Sequence, residues 1–331
     1  MRILVYLEKS DVRGGIEVFA ERHVARLRAE GHEVDVWGSL ELGAWSLERM
    51  GATNCQLSAT DPQFSTLNYD EIIIHKCSDI ATLERFPPEK TTLYVHDHEP
   101  ICPRSYAYTP LKHNCTRPSG VWPCLFCAPA CRAWKAALSR VFSQARRKRA
   151  MARFRKIVVI SEFMKGRLVA NDIPADIISV EPPVISPAKN AEGAERKESI
   201  DLLYVGQLIR GKGVQLLLEA MAQLKTPRTL DVVGGGNMEG ELKALAARLG
   251  LADRVRWRGF QENPQAWMLA AKCVVVPSFW QEPYGLVAAE AVALGRPVVA
   301  FAIGGLPEAC GGKATLVPPG DVSALAAALE E

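Results

Sequence analysis

At 331 residues, with 48% apolar and 23% charged side chains, the chain can bury a large core, and its length favours two domains over one. No apolar run reaches the ~18 residues that a membrane-spanning helix requires. The opening "MRILVYLEKSD" reads as a first strand and not as a signal peptide, because its apolar stretch is short and no small-residue cleavage site follows. A cytoplasmic protein is expected, in which the nine cysteines point to a metal before disulfides.

The first half alternates strands and helices. "RILVYL" predicts a strand, "GGIEVFAERHVARLRAEGH" opens with Gly14-Gly15 and predicts a helix, and "EVDVWG" predicts the next strand, which together make a βαβ unit. Further strands are expected at "EIIIHK", "TTLYVHD" and "KIVVIS". Between the last two lies "CPRSYAYTPLKHNCTRPSGVWPCLFCAPAC", where Cys102, Cys115, Cys124, Cys127 and Cys131 crowd an irregular stretch. Cys124-x2-Cys127 has the chelate spacing of structural zinc, and Cys115, Cys124, Cys127 and Cys131 could close a four-thiolate site. Disulfides or free thiols are the alternative.

Residues 132–156, "RAWKAALSRVFSQARRKRAMARFRK", hold 10 Lys and Arg and no acid. The net charge of +3 therefore conceals 30 basic against 37 acidic residues over the rest of the chain. Trp134, Leu138, Val141 and Phe142, then Met151 and Phe154, recur at helical spacing, so a basic amphipathic helix is expected. It could hold an anionic membrane surface or an anionic substrate, or be only the solvated face of a packed helix. Nucleic acid is not expected as a partner, since no aromatic or Gly-rich recognition module accompanies the charge.

The alternation lapses at 185–199, "ISPAKNAEGAERKES", a polar linker. It resumes with "IDLLYVGQL", a helix from Val214 to Leu224, "TLDVVGGG", a helix through "GELKALAARLG", "RVRWRGF", "CVVVPS", a helix through "GLVAAEAVALG", and "PVVAFAI". The short apolar runs suit strands buried on both faces of a parallel sheet. An α/β protein of two doubly wound Rossmann-like domains follows, with a cleft between them. The domains are expected at 1–184, with a Cys-rich insertion near 102–131, and at 200–331. The chain ends within a helix, "DVSALAAALEE".

Two loops of the second half could hold a phosphate. "GQLIRGKG", 206–213, lies between a strand and a helix, so Gly206 allows close backbone approach while Arg210 and Lys212 supply charge; "GGG", 234–236, also follows a strand and ends at Gly236. Neither fits a Walker loop or G-x-G-x-x-G. In "QEPYGLVAAEAVALGRPVVAFAIGG", 281–305, a helix starting near Gly285 would offer its N–H groups to an anion beside Tyr284, Gly285 and Leu286. Glu282 stands just before that helix, and Glu290 sits among apolar residues where sugar or ribose hydroxyls are natural partners. The alternative is that Glu282 caps the helix and Glu290 pairs with an arginine.

The stretch "VVVPSFWQEPYGLVAAEAVALGRPVVAFAIGGLPE" resembles the E-x7-E signature of the retaining nucleotide-sugar glycosyltransferases of family 4, which have the GT-B fold. The resemblance extends to "GGIEVFAERHVARLRAEGHEV", "VVISEFMK", "VGQLIRGKG", "DVVGGG" and "RVRWRGF"; residues 97–156 are the least typical. It implies transfer of a sugar from a nucleoside-diphosphate sugar to a glycan or lipid-linked acceptor without a catalytic metal; the basic stretch would place this at the inner face of a membrane. It implies that Glu282 contacts hydroxyls of the transferred sugar, that N–H groups of Gly285 and Leu286 hold the diphosphate, and that Glu290 binds the ribose. Gly15 would close over the diphosphate, Lys212 with Arg210 would neutralise the leaving group, and His96 of "VHD" would face the sugar. The family often has Arg directly after the first glycine of the 206–213 motif, where this chain has Gln207. It also usually continues past such a C-terminal helix into a segment that returns to the first domain, so a truncated chain is expected. A nucleotide-sugar epimerase, a sugar phosphorylase and a non-catalytic sugar-nucleotide sensor are the alternatives on the same architecture.

Overall fold

The structure is a computed structural model that describes residues 1–8, 15–38, 68–105, 107–109, 113–127, 134–185 and 199–331. The chain divides into two compact units, Met1–Pro183 and Val184–Glu331. Each is built on a six-stranded, wholly parallel sheet flanked by helices, the arrangement of the two Rossmann-like domains of the GT-B fold. Most of the expected linker, 186–198, lies outside the described residues.

In the first unit the strands are β1 (Arg2–Leu7), β2 (Glu33–Gly38), β3 (Glu71–Lys76), β4 (Thr91–Val95), β5 (Lys156–Val159) and β6 (Ile178–Val180), in the order β2-β1-β3-β4-β5-β6. Helix Gly15–Ala29 returns the chain from β1 to its neighbour β2. Ile3, Val5 and Leu7 point to one face with Ala20, Val24 and Leu27 of that helix, while Leu4, Ile72 and Ile74 point to the other with Met151, Phe154 and Met164. Both faces are covered, which explains why the strands are almost uninterrupted apolar runs.

The basic stretch is not one helix to residue 156. The helix runs from Trp134 to Met151, Phe154 is buried in the turn that follows, and Lys156 opens β5. Its apolar residues also divide: Ala137, Val141, Ala150 and Met151 are buried, whereas Trp134 and Phe142 are exposed. Many of its cations have partners within the unit. Arg146 pairs with Glu84, Arg155 with Glu71 and Lys156 with Glu181, while buried Arg147 donates to the carbonyls of Cys77 and Ser78. Lys148 donates to Ser119 O. The stretch is thus bound largely to its own unit, and no described helix is long and apolar enough to cross a membrane.

The second unit orders β7 (Ile200–Val205), β8 (Leu230–Val233), β9 (Val255–Gly259), β10 (Ala271–Val276), β11 (Val298–Phe301) and β12 (Thr315–Val317) as β12-β11-β10-β7-β8-β9. Helices Val214–Gln223, Glu239–Arg248 and Val322–Glu330 cover one face through Leu217, Leu218, Leu242 and Leu325; Trp267, Met268, Ala288, Ala291 and Leu306 cover the other. Each large apolar side chain so buried contributes about 1.5–3 kcal/mol. One acid lies wholly within this sheet: Asp231 of β8 accepts from Arg256 and Arg258 of β9, which offsets the cost of its desolvation. β7 has β8 on one side and β10 on the other, so the direction of strand succession reverses there. The loops after β7 and β10 leave the sheet at this reversal, where open α/β sheets bind ligands.

Candidate active site

Three loops at the C-terminal ends of the second unit's strands, 206–213, 234–238 and 277–285, are joined through their backbones. Leu208 N–H donates to Gly235 O (2.8 Å), Met238 N–H to Leu208 O (3.0 Å) and Phe279 N–H to Gly211 O (3.1 Å). This closeness explains two glycines. A Cβ on Gly213, whose φ is 75°, would lie 1.8 Å from Pro277 O, and one on Gly236 would lie 2.5 Å from Leu208 O. No side chain larger than hydrogen fits without parting the loops.

Glu282 sits in the middle of this arrangement, 7% exposed. Its Oε1 accepts from Lys212 Nζ at 2.5 Å, Ser278 Oγ at 2.7 Å and Trp280 Nε1 at 3.0 Å. Burial by itself would push this carboxyl up; the adjacent Lys212 ammonium and the three donors outweigh it and hold it below its ordinary value, as a carboxylate. Lys212 is fixed from a second side, its ammonium lying 5.4 Å from the centre of the Trp280 ring. The alternative that Glu282 only caps the following helix does not hold, since its Oε1 takes these three donors and no side chain caps that helix.

Helix Leu286–Ala293 begins where expected, with Gly285 at its N-cap at φ 116° and no side-chain cap. Its first N–H groups lack intrahelical partners by the geometry of any helix start, close to the Lys212–Glu282 ion pair. Glu290 is half-buried within the same helix, and Tyr284 is buried just before it. Gly304 and Gly305, after β11, pack on Glu282 from behind: Gly305 N–H donates to Glu282 O at 2.8 Å, and a Cβ on Gly304 would lie 2.3 Å from that oxygen. Arg210 is exposed in the short turn that carries Lys212, and Gln207 is exposed three residues before it. The second unit thus brings Gly206, Arg210, Lys212, Gly236, Glu282, Tyr284, Gly285, Leu286 and Glu290 to one end of its sheet.

Gly15 and His96 belong to the first unit. Gly15 opens helix Gly15–Ala29, while Gly14 lies outside the described residues. His96 follows β4 directly and is half-buried. It borders a pocket lined by His75, Asp97, Glu99 and Arg147. Burial, with Glu99 nearby, pushes Asp97 up to about 6.

The described cysteines present no ready metal site. Cys102, Cys115, Cys124 and Cys127 are free thiols, Cys131 lies outside the described residues, and among the described residues no group of three or more His, Cys, Asp or Glu is placed to hold a metal ion. Burial, followed by the thiols of Cys102, Cys115 and Cys127, pushes Cys124 up. Cys102, outside the expected set, is therefore among the neighbours that Cys124 feels.

Sequence reasoning assigned no role to Ser278, Trp280, His75 or the Gly304-Gly305 turn. Ser278 and Trp280 flank Glu282 within its own loop, and a buried carboxylate's need for donors was the signal that could have found them.

Residues 199–331 match the family model described as glycosyl transferases group 1. A D-inositol 3-phosphate glycosyltransferase of Streptomyces coelicolor is 42% identical over 140 residues, 36% of this chain and 30% of that protein. One of Pseudarthrobacter chlorophenolicus is 38% identical over 153 residues, 40% of this chain and 36% of that protein. The chain thus spans about a third of the length of these curated relatives. Among solved structures, Anabaena Alr3699/HepE in complex with UDP-glucose covers 99% of this chain, and 88% of that one, at TM-score 0.69 and 20% identity. WaaG, a glycosyltransferase involved in lipopolysaccharide biosynthesis, covers 100% of this chain, and 91% of that one, at TM-score 0.65 and 17% identity. The match to the glycosyl transferases group 1 model thus falls within the second unit, and the chain has the GT-B fold.

Proposed function

We propose that this protein is a retaining glycosyltransferase that moves a sugar from a nucleoside-diphosphate sugar to a hydroxyl of a glycan or lipid-linked acceptor. The observation that carries this reading is the Lys212–Glu282 pair beside the open start of helix Leu286–Ala293. A cation, a helix N-terminus and a buried carboxylate stand together, and a sugar diphosphate presents the complementary groups. Lys212, aided by Arg210, would stabilise charge developing on the departing diphosphate, and N–H groups of Gly285 and Leu286 would bind its oxygens. All three donors to Glu282 converge on Oε1, so Oε2 would take the sugar hydroxyl. Glu290 would hold the ribose, Gly206 and Gly236 would give the nucleotide close backbone approach, and Gly15 would close over the diphosphate. Retention would follow from same-face attack, with the leaving phosphate taking the acceptor's proton. The similar HepE was solved with UDP-glucose, which supports a sugar-nucleotide donor, and the relative 42% identical over 140 residues is named a D-inositol 3-phosphate glycosyltransferase, which supports glycosyl transfer.

The test is thermal unfolding with a panel of nucleoside diphosphates, followed by assay of sugar release from the matching donors. A ligand at 100 times its dissociation constant adds about 2.7 kcal/mol of stability. Stabilisation by one diphosphate with slow release of free sugar from its donor is the expected result. Stabilisation without turnover of any donor would favour a sensor, and no stabilisation by any diphosphate would overturn the reading.

A further inference from the structure

Behind His96 stand two more histidines in a continuous hydrogen-bonded row. His75 Nδ1 lies 3.0 Å from His96 Nε2, and His23 Nδ1 lies 3.1 Å from His75 Nε2. His75 comes from β3, His96 from the end of β4, and His23 from helix Gly15–Ala29. His75 is 2% exposed and His23 6%, whereas His96 is half-buried. Phe19 sets its edge against His96 (4.9 Å between ring centres) and His75 (5.7 Å), and Tyr94 lies 4.7 Å from His75 and 5.0 Å from His23.

Burial holds all three imidazoles below the ordinary histidine value, so each is neutral near pH 7. A neutral imidazole has one donor nitrogen and one acceptor nitrogen. Each junction in the row needs one proton between its two nitrogens, and with three neutral rings only two arrangements supply it. If His23 donates from Nδ1, His75 must carry its proton on Nδ1 and donate to His96 Nε2, which leaves His96 with its proton on Nδ1. If His96 donates from Nε2, all three carry the proton on Nε2. Any mixed arrangement sets two lone pairs or two protons face to face in a buried site, which leaves a buried polar group unsatisfied.

We propose that His75 and His23 are positioning residues that lock the tautomer of His96 to their own, so that the row as a whole, and not His96 alone, sets whether its Nδ1 donates to or accepts from a hydroxyl of the substrate. The proposal rests on the glycosyl-transfer reading for the identity of that hydroxyl, but the lock itself is a property of the unliganded protein. The decisive measurement is therefore made without ligand: nitrogen-15 NMR of the histidine side chains of the full chain near pH 7. The wild-type protein should show His23, His75 and His96 neutral and in one common tautomer. His23→Leu, which does not touch His96, should shift the ratio of the two His96 tautomers. His75→Gln and His75→Leu should do the same, while His75→Asn, whose amide can reach the position of Nδ1, should restore part of the order.

With UDP-glucose as probe, kcat for sugar release should fall about tenfold in His75→Leu while donor KM stays within twofold. Tautomer ratios that differ among the three rings in the wild type, or a His96 ratio unchanged in both His23→Leu and His75→Leu, would overturn the lock. If His96→Ala retains full turnover, or no nucleotide sugar is turned over, the functional reading fails instead, whatever the tautomers show.

Discussion

Lys212 Nζ and Glu282 Oε1, 70 residues apart in the chain, lie 2.5 Å apart where the loops after β7 and β10 meet. The pair couples the cation proposed for the leaving group to the carboxylate proposed for the sugar. Lys212→Ala is expected to cost roughly 2–4 kcal/mol of transition-state stabilisation, as loss of a preorganised charge-stabilising group does. Glu282→Ala should mainly lower turnover, and Glu290→Ala should mainly raise the donor's KM, because only the first contact is to the reacting sugar. With Gln207 where the family often has arginine, Arg210→Ala should be nearly as harmful as Lys212→Ala. Steady-state kinetics of the four variants check this; equal, negligible effects at Glu282 and Glu290 would reject the assignment.

The backbone stitching of the loops gives a prediction about stability. Gly213 and Gly250 both have positive φ, 75° and 70°, but a Cβ on Gly213 meets Pro277 O whereas one on Gly250 meets nothing within 4 Å. Gly250→Ala should therefore cost about 1 kcal/mol, the left-handed penalty alone. Gly213→Ala must also part the loops and should cost on the order of 3 kcal/mol. Denaturant unfolding of both variants decides the matter, and equal losses would show that the loops are less tightly joined than their hydrogen bonds imply.

The titrating groups of the first unit pull in opposite directions with pH. Burial, with Arg26 nearby, holds His23 down at about 4, and burial, with His23 nearby, holds His96 down at about 3. Below the unfolded value of about 6.5 the unfolded chain binds more protons at these sites, so they cost stability as pH falls toward 4. Asp97, raised to about 6 by burial and Glu99 against the nearby Lys76 and Arg140, does the reverse. Its folded carboxyl keeps a proton that the unfolded chain loses above about 3.9, so its contribution is present at low pH and fades as pH rises through 6. The histidines outnumber it, and the melting temperature should fall on acidification from 6.5 to 4. Asp97→Asn should steepen that fall and raise stability at pH 7. A flat profile in both proteins would contradict the burial of neutral imidazoles.

The alternation of apolar runs was enough to expect two parallel sheets, because strands buried on both faces leave a distinctive pattern. Glu282 and Lys212 were legible because their loops resemble a known signature. His75 was not legible: one histidine at the end of "EIIIHK" is indistinguishable from an ordinary core residue until β4 and helix Gly15–Ala29 bring His96 and His23 beside it. The basic stretch misled for the same reason. Glu71 and Glu84 lie 84 and 62 residues from the arginines they bind, so local sequence shows the cations and hides their partners.

The cysteine loop is expected to carry one zinc. Cys124 feels the thiols of Cys102, Cys115 and Cys127, a crowding of sulfur that a bound cation would turn from a cost into a ligand set. The described thiols alone do not form a set, so Cys131, or a rearrangement that recruits Cys102, would have to close the tetrahedron. Elemental analysis of protein purified without added metal should give near-stoichiometric zinc. A metal-free protein with freely titrating thiols would refute it.

The last prediction is that the protein docks on an anionic membrane through helices Val121–Leu125 and Trp134–Met151. These pack together through Cys124, Ala137, Leu138 and Val141. They expose Trp122 (77%), Trp134 (47%) and Phe142 (65%), with Phe126 (82%) at the end of the first. Aromatic side chains of this kind anchor interfacial helices, and a lipid-linked acceptor would be met there. With Arg146, Arg147, Arg155 and Lys156 held by partners in their own unit, the charge left for the surface is a fraction of what the sequence suggests, at about 1 kcal/mol for each Lys or Arg. Adsorption to anionic vesicles should therefore weaken at high salt without vanishing, because the Debye length of ~10 Å at 0.1 M screens the cations and leaves the aromatic burial intact. Trp122→Ser with Phe126→Ser should reduce sedimentation with vesicles at every salt concentration. Binding abolished by salt alone and indifferent to the aromatic changes would assign the attraction to charge. Equal, low sedimentation with anionic and neutral vesicles would make a soluble acceptor the better account.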